Sequence, residues 1–199
     1  MSITTNSQYL IIGDTKLHYI EAGHPHAHTV LLLHGASFSA RTWLDLGTLT
    51  FIDNNKYRAI ALDLPGYGKS GTLSGNTNDL LLEIISLLNL AKPVIVSPSM
   101  SGQFSLPLIA QHPDQVAGFV AVAPVGIPSF EAQLQDNKVP TLAIWGSDDQ
   151  IVPVVHAERL CQVMSKAEKV ILEDAGHACY MQATKQFHEH LLKFITRCY

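Results

Sequence analysis

Short runs of β-branched and aliphatic residues alternate along this chain with longer segments whose apolar positions recur at helical spacing. Tyr9–Gly13 and Lys16–Glu21 read as two strands about a turn at Gly13-Asp14. Thr29–Leu33 is uninterruptedly apolar, the pattern of a strand buried on both faces. Arg41–Ile52 follows as a helix and Tyr57–Leu62 as a strand. Asn76–Leu90 is dense in leucine and isoleucine, with Asp79 and Glu83 near its start, where acidic groups suit the positive end of a helix dipole. The pattern then gives a strand at Pro93–Ser97, a helix at Met100–Gln111 disturbed at Pro107, and strands at Val116–Ala123 and Thr141–Trp145. A helix at Val154–Ser165 and a strand at Lys169–Leu172 precede a last helix, on which Phe187, Leu191, Phe194, Ile195 and Cys198 share a face. Such alternation predicts an α/β fold, a mostly parallel central sheet with helices on both faces. No repeat or linker breaks it, so residues 1–199 are expected to form a single domain.

Composition narrows the function classes. Apolar residues make up 47% and charged residues 15%, which excludes disorder. With 13 basic against 17 acidic side chains and no basic cluster, the net charge of −4 offers no footprint for nucleic acid. No apolar run approaches the roughly 18 residues of a membrane span. Met1–Ile12 has no basic region followed by an apolar stretch, so no signal peptide is expected. Cys161, Cys179 and Cys198 are an odd, sparse set that reads as reduced thiols, and a cytoplasmic location is expected.

In an open α/β sheet the chemistry sits just beyond the carboxyl ends of the strands. Four such segments stand out. Ser97-Pro98-Ser99-Met100-Ser101-Gly102 lies between a buried strand and a helix. There a sharp turn with small residues two before and two after would lift Ser99 above the sheet as a nucleophile, although a serine-rich helix cap reads similarly. Gly146-Ser147-Asp148-Asp149 offers an acid able to orient a histidine, with two neighbouring aspartates to choose between. Gly176-His177 places a histidine in the loop after the last strand, positioned to act as a general base. In Leu33-His34-Gly35-Ala36 the loop can donate the Ala36 N–H to an oxyanion, with the Met100 N–H as second donor.

Taken together, the motifs resemble the α/β-hydrolase superfamily from end to end. They are His34-Gly35, Asp63-Leu64-Pro65-Gly66-Tyr67-Gly68-Lys69-Ser70, the Ser99 elbow, Gly146-x-x-Asp149-x-x-Val152-Pro153 and Gly176-His177. More narrowly, the Ser-Pro-Ser-x-Ser-Gly elbow, the Gly-His-x-Cys-Tyr loop and the Leu-Leu-Leu-His-Gly strand end are similar to the small lidless abhydrolase-domain fourteen subgroup. That resemblance implies a triad of Ser99, Asp149 and His177 and hydrolysis of small acyl esters. It also implies a protein partner or lysine deacylation as further roles. Neither metal nor organic cofactor is expected. The rival reading is a binding module with a vestigial site, and a third is acyl transfer on the same fold.

Larger α/β-hydrolases carry a lid between the sixth and seventh strands. Here only Val125–Pro140 is available, with room for a short helix near Ser129–Gln135, so an open, shallow site is expected. Phe38, Tyr67, Met100, Phe130, Ile151 and Tyr180 are the candidates to line it. Three other signals read as structural. Gly68-Lys69-Ser70 lacks the first glycine of a phosphate loop, His24, His26 and His28 sit in a polar loop, and Cys179 reads as a packing residue.

Overall fold

The computed structural model describes residues 5–199. Its frame is one eight-stranded sheet. In chain order the strands are β1 (Asn6–Ile12), β2 (Thr15–Ala22), β3 (Thr29–Leu32), β4 (Arg58–Leu62), β5 (Val94–Pro98), β6 (Gly118–Val122), β7 (Thr141–Gly146) and β8 (Ala167–Leu172). Spatially they run β1-β2-β4-β3-β5-β6-β7-β8. The β1–β2 hairpin is antiparallel, as is the β2–β4 pair; every later pairing is parallel. All the parallel strands therefore present their carboxyl ends along one edge.

Strand residues alternate between two apolar layers, as the pleat requires. Leu31, Ile60, Leu62 and Ile95 face α3 (Leu80–Leu87), α4 (Gly102–Gln111), α5 (Ile127–Leu134) and α6 (Val155–Val163). Val30, Leu32, Val94 and Val96 face α1 (Ala40–Asp45), α2 (Thr48–Asn54), α7 (Cys179–Gln182) and α8 (Thr184–Cys198). Burial on both faces explains why β3, β5, β6 and β7 are apolar throughout. Close packing fixes some residues outright. A Cβ at Gly118 would lie 2.7 Å from Cys198 Sγ and 2.9 Å from Phe194, so α8 can rest on β6 only over glycine.

Three helices depart from the sequence pattern. Arg41–Ile52 is two helices, because Gly47 takes a left-handed φ of +71° and starts α2 in a new direction. The segment predicted from Asn76 becomes helical only at Leu80, since Asn76 Oδ1 accepts the Asn78 N–H and holds the chain in a turn. Ser99–Ser101 forms a tight 3₁₀ turn ahead of α4, and Pro107 is accommodated inside that helix. The segment 125–140 holds α5, which packs beside α4 and α6, with Ile127 and Leu134 sealed in the core. Among the described residues no helix is long and apolar enough to cross a membrane.

Candidate active site

Ser99 follows the last residue of β5 and has a φ of +52°. A non-glycine residue is held in that region only where its surroundings over-determine it, and such strain collects at functional sites. The surroundings are visible. Val125 N–H donates to the Ser99 C=O at 2.9 Å, tying the turn to the end of β6. A Cβ on Gly102 would stand 2.3 Å from Val125 O, so only glycine lets α4 begin this close. Beneath the turn, Ser97 Oγ lies 2.9 Å from Ser101 Oγ and 2.7 Å from Ser105 Oγ, and Ser101 Oγ donates to Pro98 C=O at 2.8 Å. All three serines are fully buried. Where glycine is usual, this chain buries hydroxyls and satisfies them with one another. Ser105 completes this arrangement without being marked by the elbow motif; a small residue one helical turn beyond Ser101 is its signal in the sequence.

His177 Nε2 lies 2.8 Å from Ser99 Oγ, and His177 Nδ1 lies 2.9 Å from Asp149 Oδ2. A carboxylate can only accept, so Nδ1 carries the proton and Nε2 is left to accept the Ser99 hydroxyl. Asp149 is anchored on its other oxygen, where Oδ1 accepts the N–H groups of Ile151 and Val152 at 2.8 and 2.9 Å. Its side chain is wholly buried, whereas Asp148 is exposed and its carboxylate accepts only from Ser147 Oγ. The two loops meet over Gly146, where a Cβ would come within 2.1 Å of Ala175 O. Asp148 N–H donates to that same carbonyl at 2.9 Å, and Gln182 Oε1 accepts the Gly176 N–H at 2.6 Å.

The β3 loop passes beside the serine, since a Cβ on Gly35 would stand 3.5 Å from Ser99 Cβ. Buried His34 fastens this loop: its Nδ1–H donates to Gly35 C=O at 2.8 Å and its Nε2 accepts the Leu64 N–H at 2.9 Å. Desolvation lowers its pKa, in keeping with a neutral ring serving as both donor and acceptor. Trp43 Nε1 donates to Leu33 C=O at 2.6 Å and holds the loop from below. Ala36, next in the loop, is exposed, and Met100 is half-buried behind Ser99.

The pocket candidates separate. Phe38 and Met100 are half-buried, Tyr67 packs edge-on against His34, and Phe130, on α5, packs against the core. Ile151 stands 69% exposed, and Val125 and Val155 are exposed on the loop after β6 and at the first turn of α6. Tyr180 does not line the site. It is buried against Trp43 and Phe187, 4.9 and 6.0 Å between ring centres, because α7 turns its side chain under the sheet. Cys179 is fully buried beside it, and desolvation pushes its thiol up to about 12, too high for a thiolate nucleophile. The loop histidines do not converge, since His28 stacks on Tyr199 while His24 and His26 lie 5.4 Å apart, ring centre to ring centre.

A strained serine after β5, with the acid arriving from the end of β7 and the histidine from the end of β8, is accompanied by similarity along the sequence. Residues 30–138 match a profile of the alpha/beta hydrolase family, and residues 127–184 match one of the alpha/beta hydrolase fold. The chain belongs to the α/β-hydrolase family. It is 39% identical over 174 residues to the ABHD14A protein of Danio rerio, covering 84% of this chain and 64% of that one. The chain thus spans just under two thirds of that relative's length. Human ABHD14B, whose name marks it as a candidate protein-lysine deacylase, is 36% identical over 175 residues, or 84% of this chain and 82% of that one. Among solved structures, one described as a CIB-like hydrolase from Thermoplasma acidophilum superposes with a TM-score of 0.92 at 23% identity, over 98% of this chain and 99% of its own. At that identity the superposition speaks for the hydrolase fold alone.

Proposed function

We propose that this α/β-hydrolase is a serine hydrolase of small acyl esters, with Ser99 as nucleophile, His177 as general base and Asp149 as the acid that orients it. The observation that carries this reading is the unbroken series from Asp149 Oδ2 to His177 at 2.9 Å and from His177 to Ser99 Oγ at 2.8 Å. Ser99 Oγ bonds to the carbonyl carbon while its proton passes to His177 Nε2, and Asp149 stabilises the imidazolium. The tetrahedral oxyanion is held by the N–H groups of Ala36 and Met100, such donors being worth about 3 kcal/mol each. His177 then gives its proton to the leaving oxygen as the ester C–O bond breaks. Water deprotonated by His177 releases the acid from the acyl-Ser99 intermediate.

The acid and alcohol parts of the substrate meet an open site. Residues 1–199 act as one domain in this reading, and the 125–140 segment, occupied by α5, stands where a lid would be. Val125 tied to Ser99, Met100 next to it, Ile151 bound to Asp149 and Phe38 beside Gly35 would supply an apolar rim suited to short acyl chains. Tyr67 borders the β3 loop. A second reading, removal of acyl groups from lysines of a protein partner, draws on the name of human ABHD14B and on the same open rim. The chemistry is unchanged, with an amine as leaving group. A cytoplasmic location belongs to this reading, and free Cys161, Cys179 and Cys198 are compatible with a reducing compartment.

A series of p-nitrophenyl esters from acetate to dodecanoate tests the first reading, with an acetyl-lysine peptide beside it. Short acyl chains are expected to be fastest, and Ser99→Ala to lower the rate by about 10⁴-fold or more. A preference for the longest chain, or a Ser99→Ala variant that keeps most of the activity, would overturn it. Faster release from the peptide than from any ester would favour deacylation.

A further inference from the structure

The segment Gly68-Lys69-Ser70 wraps the carboxylate of Asp63, at the end of β4. Gly68 has a φ of +55°, and a Cβ there would fall 2.2 Å from that carboxylate. Lys69 N–H donates to Asp63 Oδ2 at 2.8 Å, Ala40 N–H to Oδ1 at 2.7 Å, and Ser70 Oγ to the Asp63 C=O at 2.6 Å. The remaining partner of Oδ2 is His18 Nδ1, at 2.7 Å. Both His18 and Asp63 are almost wholly buried. On the other side of the ring, His18 Nε2 lies 2.7 Å from Ser7 Oγ, and Ser7 is exposed on the edge strand β1. A hydroxyl, an imidazole and a buried carboxylate thus stand in one line, none of them shared with the Ser99 site.

The line opens into a cleft of about 310 Å³ lined by Ser7, His18, Asp63, Ser39, Arg41 and Lys69. Arg41 is paired with Asp45 at 2.7 Å, whereas Lys69 has no ionic partner among the described residues. We propose that Ser7 is a second activated serine, which accepts an acyl group from a small activated ester carrying a negative charge. Two features argue for it over a purely structural tie between β2 and the Asp63 loop. The tie is complete at His18 Nδ1, yet the outer nitrogen is presented to a hydroxyl at the surface. The cleft beside that hydroxyl also carries Lys69, a lining cation with no ionic partner among the described residues, which raises the local concentration of an anionic reagent. In the step itself, Ser7 Oγ bonds to the acyl carbon and the ester C–O bond breaks. The leaving oxygen departs with the bonding pair, and the Ser7 proton passes to His18 Nε2 and then to solvent.

The test uses the full chain with Ser99→Ala, so that it stands whether or not Ser99 is the main nucleophile. The protein is treated with acetoxynitrobenzoate, an activated acetyl ester bearing a carboxylate, and separately with its methyl ester. Acetylation is then mapped by peptide mass spectrometry. Ser7 is expected to be acetylated about 10²-fold faster than Ser86, an exposed serine of α3, the scale of general-base assistance. The carboxylate ester is expected to outpace the methyl ester by about tenfold, and Lys69→Gln to bring the two rates together. Adding Ser7→Ala should remove the label. Acetylation of Ser7 no faster than Ser86, or equal rates with the two esters in protein of native melting temperature, would overturn the proposal.

Discussion

Asp149 Oδ2 and His177 Nδ1 stand 2.9 Å apart, while Asp148, one residue earlier, turns its carboxylate outward to Ser147 Oγ. Adjacent and chemically identical, the two acids differ in burial and in the two backbone N–H groups that only Asp149 accepts. Asp149→Asn is expected to leave the fold intact and lower kcat for a p-nitrophenyl ester by about 10⁴-fold, because an amide at this position can turn the imidazole to the wrong tautomer. Asp148→Asn, at an exposed position, is expected to change the rate by no more than about twofold. Steady-state kinetics of the two variants side by side checks both.

The buried hydroxyls under the elbow carry a stability prediction. Ser97 Oγ is the shared partner of Ser101 and Ser105, and nothing else in the serine chain reaches Ser105. Removing it by Ser97→Ala strands a buried hydroxyl and is expected to cost about 1–2 kcal/mol in urea unfolding, the range for an unsatisfied polar group. The accompanying Ser105→Ala is expected to recover part of that loss, since two apolar replacements leave nothing stranded.

His34 predicts a pH dependence. Its ring is neutral in the fold because desolvation lowers its pKa below the usual imidazole value of 6.5. As pH falls through 6.5 the unfolded chain takes up a proton that the folded chain refuses, so stability falls with acidification and is level above that point. His188 shifts in the same direction through burial. Melting temperature is expected to drop between about pH 7 and pH 5, and His34→Gln to flatten part of that slope while lowering the plateau.

Much of this architecture is written in the sequence. The central strands are legible because burial on both faces leaves them uniformly apolar, and the α8 stripe because only one face is buried. What escaped was decided by geometry that composition does not encode. Gly47 breaks one helix into two through a backbone angle, and Asn76 delays another through a side-chain bond. Tyr180 lies three residues after His177, close enough in sequence to suggest the site, yet the turn into α7 sends its ring under the sheet. Ser7 and His18 were invisible as a pair because they meet diagonally across a hairpin, in which Tyr9 is the direct partner of His18.

Whether Ser99 is an activated nucleophile is read by labelling with a fluorophosphonate. Wild-type protein and Ser99→Ala would be treated in parallel and the adducts mapped by peptide mass spectrometry. Rapid, stoichiometric phosphonylation of Ser99 is expected in the wild type, with no adduct on that peptide in the variant. Well-folded wild-type protein that leaves Ser99 unmodified would contradict it.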